Sequence, residues 1–148
     1  MLKAGFLYST SEEHEAFIAF KSSKESLGFG AVSELIKAVI RTMRFRDMIK
    51  LVKLAKKGGE SYEDSLKKAK KPYVFVGMLV VRQKYQGQGY MRKVLDIAYE
   101  EGKKLGCPVL LDTDAALKRD KYVHLGMKNV RTRKFDEGIV LYDLAKED

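Results

Sequence analysis

Tryptophan is absent, and the 148 residues include one cysteine (Cys107), two histidines and two prolines. A single cysteine excludes an intramolecular disulfide, so a hydrophobic core has to hold the chain. One cysteine with two histidines also argues against a His/Cys structural zinc site, and no metal is expected. No apolar run approaches the ~20 residues that span a bilayer, so no membrane role is expected. The start, Met1-Leu2-Lys3-Ala4-Gly5-Phe6, has no signal-peptide apolar region, and the expected location is cytoplasmic. Repeats and low-complexity segments are missing too. What remains is 45% hydrophobic and 33% charged. That composition and length suit a single globular domain over residues 1–148. Only positive charge is in excess: 29 Lys and Arg against 20 Asp and Glu give +9. This balance favours polyanions or phosphate-bearing small molecules as partners and does not choose between them.

Ala4, Phe6 and Tyr8 alternate, as do Ala16, Ile18 and Phe20, which predicts an antiparallel hairpin of Lys3–Ser9 and Glu15–Lys21. Gly28 and Gly30 then precede a helical stretch whose stripe is Val32, Leu35, Ile36, Val39, Ile40 and Met43. A phase shift near Arg44-Phe45-Arg46-Asp47 divides it into two helices, and Gly58-Gly59 stops the second. Residues 30–59 carry eight basic and two acidic side chains, so most of the excess charge sits there. Ser61–Lys70 reads as a further short helix. From Pro72 the texture changes. The run 73–81 is almost continuously apolar and predicts a central strand buried on both faces. A polar glycine loop follows over 82–89, then a helix over 91–105, a short strand at 109–111, a helix over 115–125, and strands over 128–135 and 139–144. The order makes the chain α/β or α+β with a mixed sheet, and 72–111 is a right-handed β-α-β crossover.

The stretch Val80-Val81-Arg82-Gln83-Lys84-Tyr85-Gln86-Gly87-Gln88-Gly89-Tyr90-Met91-Arg92 carries the chemistry. A strand enters a glycine loop that opens a helix. Free N–H groups and the positive end of the helix dipole bind phosphate there. Without a ligand, the same glycines make a tight strand-to-helix turn. No Lys-Ser/Thr pair follows either glycine, so a P-loop is excluded, and a dinucleotide fingerprint would need glycine where Arg92 stands.

Gln86-Gly87-Gln88-Gly89-Tyr90-Met91 resembles the Arg/Gln-x-x-Gly-x-Gly/Ala signature of the GNAT superfamily of acyl-CoA N-acyltransferases. Tyr122-Val123-His124-Leu125-Gly126-Met127 resembles that family's Tyr-x-x-Leu-Gly-Phe, and the resemblance covers roughly residues 72–146. It implies a mixed, mostly antiparallel sheet flanked by helices, in which a central parallel pair, here 73–81 and 109–113, splays apart. Acetyl-CoA is the implied co-substrate. Its pantetheine arm would pair with backbone near Leu79 and Val81, and its pyrophosphate would rest on the N–H groups of Gln86, Gly87, Gln88, Gly89, Tyr90, Met91 and Arg92. Met91 stands where the family has a small residue and must fold away. Arg92, Lys84 and Lys118 are candidates for phosphate contacts, with surface solvation the competing reading.

The implied reaction is direct attack by an amine on the acetyl thioester. It needs a base, oxyanion donors and an acid for the leaving thiolate. Tyr122 stands where the family places the acid; a packed helix aromatic is the alternative. The run 73–81 holds no acidic residue, so the base is not fixed by the sequence: Asp112 and Asp114 are candidates, and a water chain to backbone carbonyls is the alternative. Asp114 also fits a helix N-cap. His124, His14 and Cys107 are given no catalytic role.

Family members usually begin with a strand and two helices, whereas here a hairpin comes almost first and a basic helical insertion lies at about 31–70. Those helices, or a second subunit in a homodimer, are expected to complete the acceptor side. The acceptor itself is a small-molecule or peptide amine of unspecified identity. Two other classes stay open: a basic module for nucleic acid or another polyanion, the less favoured partner for want of a nucleic-acid motif, and a CoA-binding regulatory domain without catalysis.

Overall fold

Alternation makes the first strands. β1 (Leu7–Ser9) and β2 (Ala16–Ser22) pair antiparallel, with Leu7 opposite Ala19 and Ser9 opposite Phe17. Ala16, Ile18 and Phe20 point to one face of β2 and are buried. In the turn between the strands, the Glu15 carboxylate accepts hydrogen bonds from the Ser11 and Thr10 hydroxyls, each at 2.7 Å. These bonds hold the Glu15 carboxyl below its usual range. The computed structural model describes residues 7–23, 59–135 and 138–147. The start of the first predicted strand, Gly28, Gly30 and the helices expected over 31–57 with their apolar stripe lie outside the described residues.

The end of β2 meets the residue that precedes the next described strand. Ser23 N–H donates to the Tyr73 carbonyl at 2.8 Å, and Tyr73 N–H donates to Ser23 Oγ at 3.0 Å. Between them, α1 (Tyr62–Lys68) is started by a reciprocal cap: Ser61 Oγ accepts from Asp64 N–H, and the Asp64 carboxylate accepts from Ser61 N–H. Its buried Leu66 packs with Tyr73, Leu110 and Ala145.

The remaining elements are β3 (Val74–Val81), α2 (Tyr90–Leu105), β4 (Val109–Thr113), α3 (Ala116–His124), β5 (Lys128–Lys134) and β6 (Val140–Lys146). Among the described residues six strands form one sheet in the order β1-β2-β3-β4-β6-β5. β3 and β4 are parallel, and each other neighbouring pair is antiparallel. Val94, Leu95 and Ala98 of α2 cover one face, packing in a cluster with Ile18, Val74, Val76, Val109 and Leu111. α1 packs on residues of the opposite face, because β4 sends Val109 and Leu111 to one cluster and Leu110 to the other.

Gly102 lets α2 approach β4 closely. A Cβ there would stand 2.5 Å from Val109 Cγ2 and 2.9 Å from the Cys107 carbonyl oxygen. Gly102→Ala gains about 1 kcal/mol of helix propensity. Overpacking against backbone costs about 1–3 kcal/mol. The expected net result is a lower denaturation midpoint in urea; a raised midpoint would contradict this packing.

The expectation that 73–81 is buried on both faces holds only as far as Val76. Met78 and Val80 are each 45% exposed. β4 pairs with β3 only at Val74–Val109 and Phe75–Leu110. Gly77 is an extra residue between the β2–β3 pairs Ala19–Met78 and Phe20–Val76, so β3 bulges there. Beyond the bulge the edge of β3 that faced β4 has no strand beside it among the described residues. The strand buried on both faces is β4, through Val109, Leu110 and Leu111.

Candidate active site

A cavity of about 660 Å³ opens where β3 and β4 part. Gly77, Met78 and Leu79 form its β3 wall, and Asp112 and Thr113 its β4 wall. Lys118 and Tyr122 reach it from α3, and Arg133, Phe135, Ile139 and Leu141 from the β5–β6 hairpin. Two residues singled out from the sequence on separate grounds, Asp112 and Tyr122, therefore share one cavity with Leu79.

The glycine loop lies at the far end of β3. Arg82 N–H donates to the Glu15 carbonyl, and residues 83–85 form one turn of 3₁₀ helix. Both glutamines of the motif brace the loop: Gln86 Nε2 donates to the Val81 carbonyl at 3.3 Å and Gln88 Nε2 to the Lys84 carbonyl at 2.9 Å. Gly87 and Gly89 have φ of +76° and +82°, a region that side chains disfavour. Among the described residues, a Cβ at either position would meet nothing within 4 Å.

Among the described residues, the N–H groups of Gly87, Gln88, Gly89, Tyr90 and Met91 have no hydrogen-bond acceptor. Gln86 N–H donates to Gln83 and Arg92 N–H to Gly89, so the open donors run from 87 to 91 and not over the whole of 86–92. Met91 is partly buried and packs against the main core, as Leu79 and Val81 do. Tyr90 meets Tyr85 edge-on, with ring centroids 5.4 Å apart, and Lys93 Nζ lies 4.5 Å from the Tyr90 ring.

Tyr122 is 8% exposed, and burial raises its phenol above the ordinary value, so it keeps its proton at neutral pH. Among the described residues its hydroxyl has no hydrogen-bond partner. Asp112 is pushed up to about 6, by burial first and then by the neighbouring Asp143 carboxylate, while Arg133 opposes the rise. Asp112 and Asp143 stand opposite each other across β4 and β6. Arg133 Nη2 reaches Asp112 Oδ2 at 3.1 Å and Asp143 Oδ1 at 2.7 Å. Sequence reasoning passed over Arg133 and Asp143. The one available signal was a charged residue, Asp143, inside the otherwise apolar run of the last strand.

Asp114 lines the cavity but does not cap α3. Ala115 occupies the cap position without a side-chain bond, and its N–H donates to Thr113 Oγ1 at 3.4 Å. Lys118 lines the cavity. His124 is exposed on α3, His14 stacks on Phe17 in the first turn, and Cys107 is partly buried against the core.

A parallel pair splayed at a bulge, with a loop of open N–H groups at its end, is the architecture the resemblance implied. The model of the Acetyltransferase (GNAT) family matches residues 6–126. The chain belongs to that family.

Solved GNAT structures share its fold. Arylalkylamine N-acetyltransferase 2 from Aedes aegypti aligns with a TM-score of 0.58 at 14% identity, over 93% of this chain and 70% of that one. The polyamine N-acetyltransferase of Drosophila melanogaster, which forms N-acetylagmatine, aligns with a TM-score of 0.58 at 12% identity, over 90% and 69%. A chain of the NatC complex, solved with Gag peptide and CoA, aligns with a TM-score of 0.51 at 14% identity, over 91% and 62%. The chain spans 53% to 62% of the length of three of the solved proteins it matches. A comparison with curated proteins by sequence found no match. Among the described residues no helix is long and apolar enough to cross a membrane.

Proposed function

We propose that this GNAT protein is an N-acetyltransferase that moves an acetyl group from acetyl-CoA to a primary amine by direct attack. One observation carries the reading: an edge of β3 that no described strand covers joins a loop of N–H groups open among the described residues to a cavity that holds a protonated phenol and a raised carboxyl. The N–H groups of Gly87 to Met91, at the positive end of α2, suit a pyrophosphate. Gln86 and Gln88 hold that loop in shape, Gly89 leaves room for the anion, and Arg92 adds positive charge in the first turn. The backbone at Leu79 and Val81 suits the amides of the pantetheine arm, in the manner of strand addition.

Asp112 takes the proton that the amine sheds as its nitrogen bonds to the acetyl carbon. Tyr122 gives its proton to the sulfur as the carbon–sulfur bond breaks. The products are an amide and a free thiol, and solvent restores both side chains. The aligned relatives named for arylalkylamines and a polyamine support a small amine as acceptor, and the aligned NatC chain, solved with a peptide, supports a peptide amine.

Amine-dependent thiol release from acetyl-CoA, measured over a panel of amines, tests this reading. Asp112 works as a base only when ionised. The expected kcat/KM therefore falls about tenfold per pH unit below about 6, as its carboxyl protonates. Asp112→Asn should remove that acid limb. A limb of unchanged midpoint in the variant would remove Asp112 from the reaction, and thiol release that ignores every amine would remove the activity.

A further inference from the structure

We propose that Arg133 is a positioning residue for Asp112, clamped by Asp143 and α1 so that its guanidinium fixes where the Asp112 carboxylate stands and keeps it ionised. This rests on the reading of the cavity as an acetyl-transfer site with Asp112 as base.

The argument starts from the buried partner. Asp143 is 2% exposed, and both its oxygens are used. Oδ1 accepts from Arg133 Nε at 2.9 Å and lies 2.7 Å from Nη2; Oδ2 accepts from the N–H of Tyr62, the first residue of α1, at 2.8 Å. A carboxylate this buried is costly without its cation, so Asp143 fixes the guanidinium plane. Arg133 is 11% exposed in its side chain and has little freedom to leave. Its Nη2 then extends to Asp112 Oδ2, while Asp112 Oδ1 accepts no hydrogen bond from a described residue. One carboxylate oxygen is held and the other is left to the cavity, which is what a base with a defined direction needs.

One cation thus serves two carboxylates. The charged and titratable groups around Asp112 are Asp143 on β6, Arg133 on β5, Glu63 on α1, and Asp114, Lys118 and Tyr122 on the cavity wall. Asp143 and Glu63 favour the protonated acid, and Arg133 favours the carboxylate. Removing the guanidinium therefore raises the Asp112 midpoint. Neutralising Asp143 lowers it, because a like charge goes and Arg133 is left to Asp112 alone. A lysine keeps the charge but not the planar fork that spans both carboxylates.

The test is a carboxyl NMR titration of Asp112 in the full-length protein, beside pH profiles of kcat/KM. Arg133→Gln should move the midpoint up by about one unit or more, Arg133→Lys by less, and Asp143→Asn down. The acid limb of kcat/KM should follow in the same directions. For Arg133→Gln a one-unit rise gives a loss of about threefold near pH 6.5, larger for a larger rise, which should recover towards about pH 8.5. An unmoved midpoint in folded Arg133→Lys and Asp143→Asn proteins overturns the proposal even if Arg133→Gln does not fold. A loss in Arg133→Gln that is uniform with pH also overturns it. If the wild type acetylates no amine, the acetyl-transfer reading fails, while the NMR titration still decides whether Arg133 governs Asp112.

Discussion

Tyr122→Phe is expected to lower kcat by ~10²–10⁴-fold with little change in the affinity for CoA, the range over which a general acid acts. The substitution keeps the ring and deletes one hydroxyl. That hydroxyl has no hydrogen-bond partner among the described residues, so its loss breaks no bond to any of them. Burial raises the phenol, and a raised phenol remains a proton donor across the neutral range. The cavity it lines is also lined by the β3 residues at the splay. Steady-state kinetics with calorimetric CoA binding separates the two effects. Equal kcat in variant and wild type would leave Tyr122 as a packing residue of α3.

Gly89→Glu is expected to weaken CoA binding by at least ~2 kcal/mol, the scale of placing a charge against a like charge in a desolvated contact. Two costs are separable. Gly89 sits at φ +82°, so any side chain strains the backbone by roughly 1–2 kcal/mol in free and bound protein alike. Gly89→Ala carries that strain alone, and its Cβ would meet nothing within 4 Å among the described residues. The additional loss in Gly89→Glu then reports the negative charge facing phosphate. Calorimetry in which Glu and Ala bind CoA equally would take the pyrophosphate away from this loop.

Local pattern carried most of the fold. The alternation of Ala16, Ile18 and Phe20 predicted a half-buried strand, and β2 buries those three residues. The loop from Arg82 to Gly89 was legible because glycine placement and a following helix are neighbours in sequence. Burial along β3 was not legible beyond Val76. A continuous apolar run reads the same whether protein or a ligand covers it, and a one-residue bulge at Gly77 leaves no compositional trace. Arg133 was hidden for another reason. Its partners lie 21 and 10 residues away and meet it only because the sheet runs β4-β6-β5. Read along the chain, Arg131 and Arg133 are alternate charges on a polar strand, the pattern of a solvated edge.

Backbone amide NMR during a titration with CoA tests most directly whether the splayed pair and its loop form the site. The account predicts that the N–H signals of Gly87 to Met91 move first and furthest, that those of Met78 to Val81 follow, and that β1 and β5 stay unchanged. Saturable shifts confined to other surfaces, with the 87–91 signals unmoved, would contradict it.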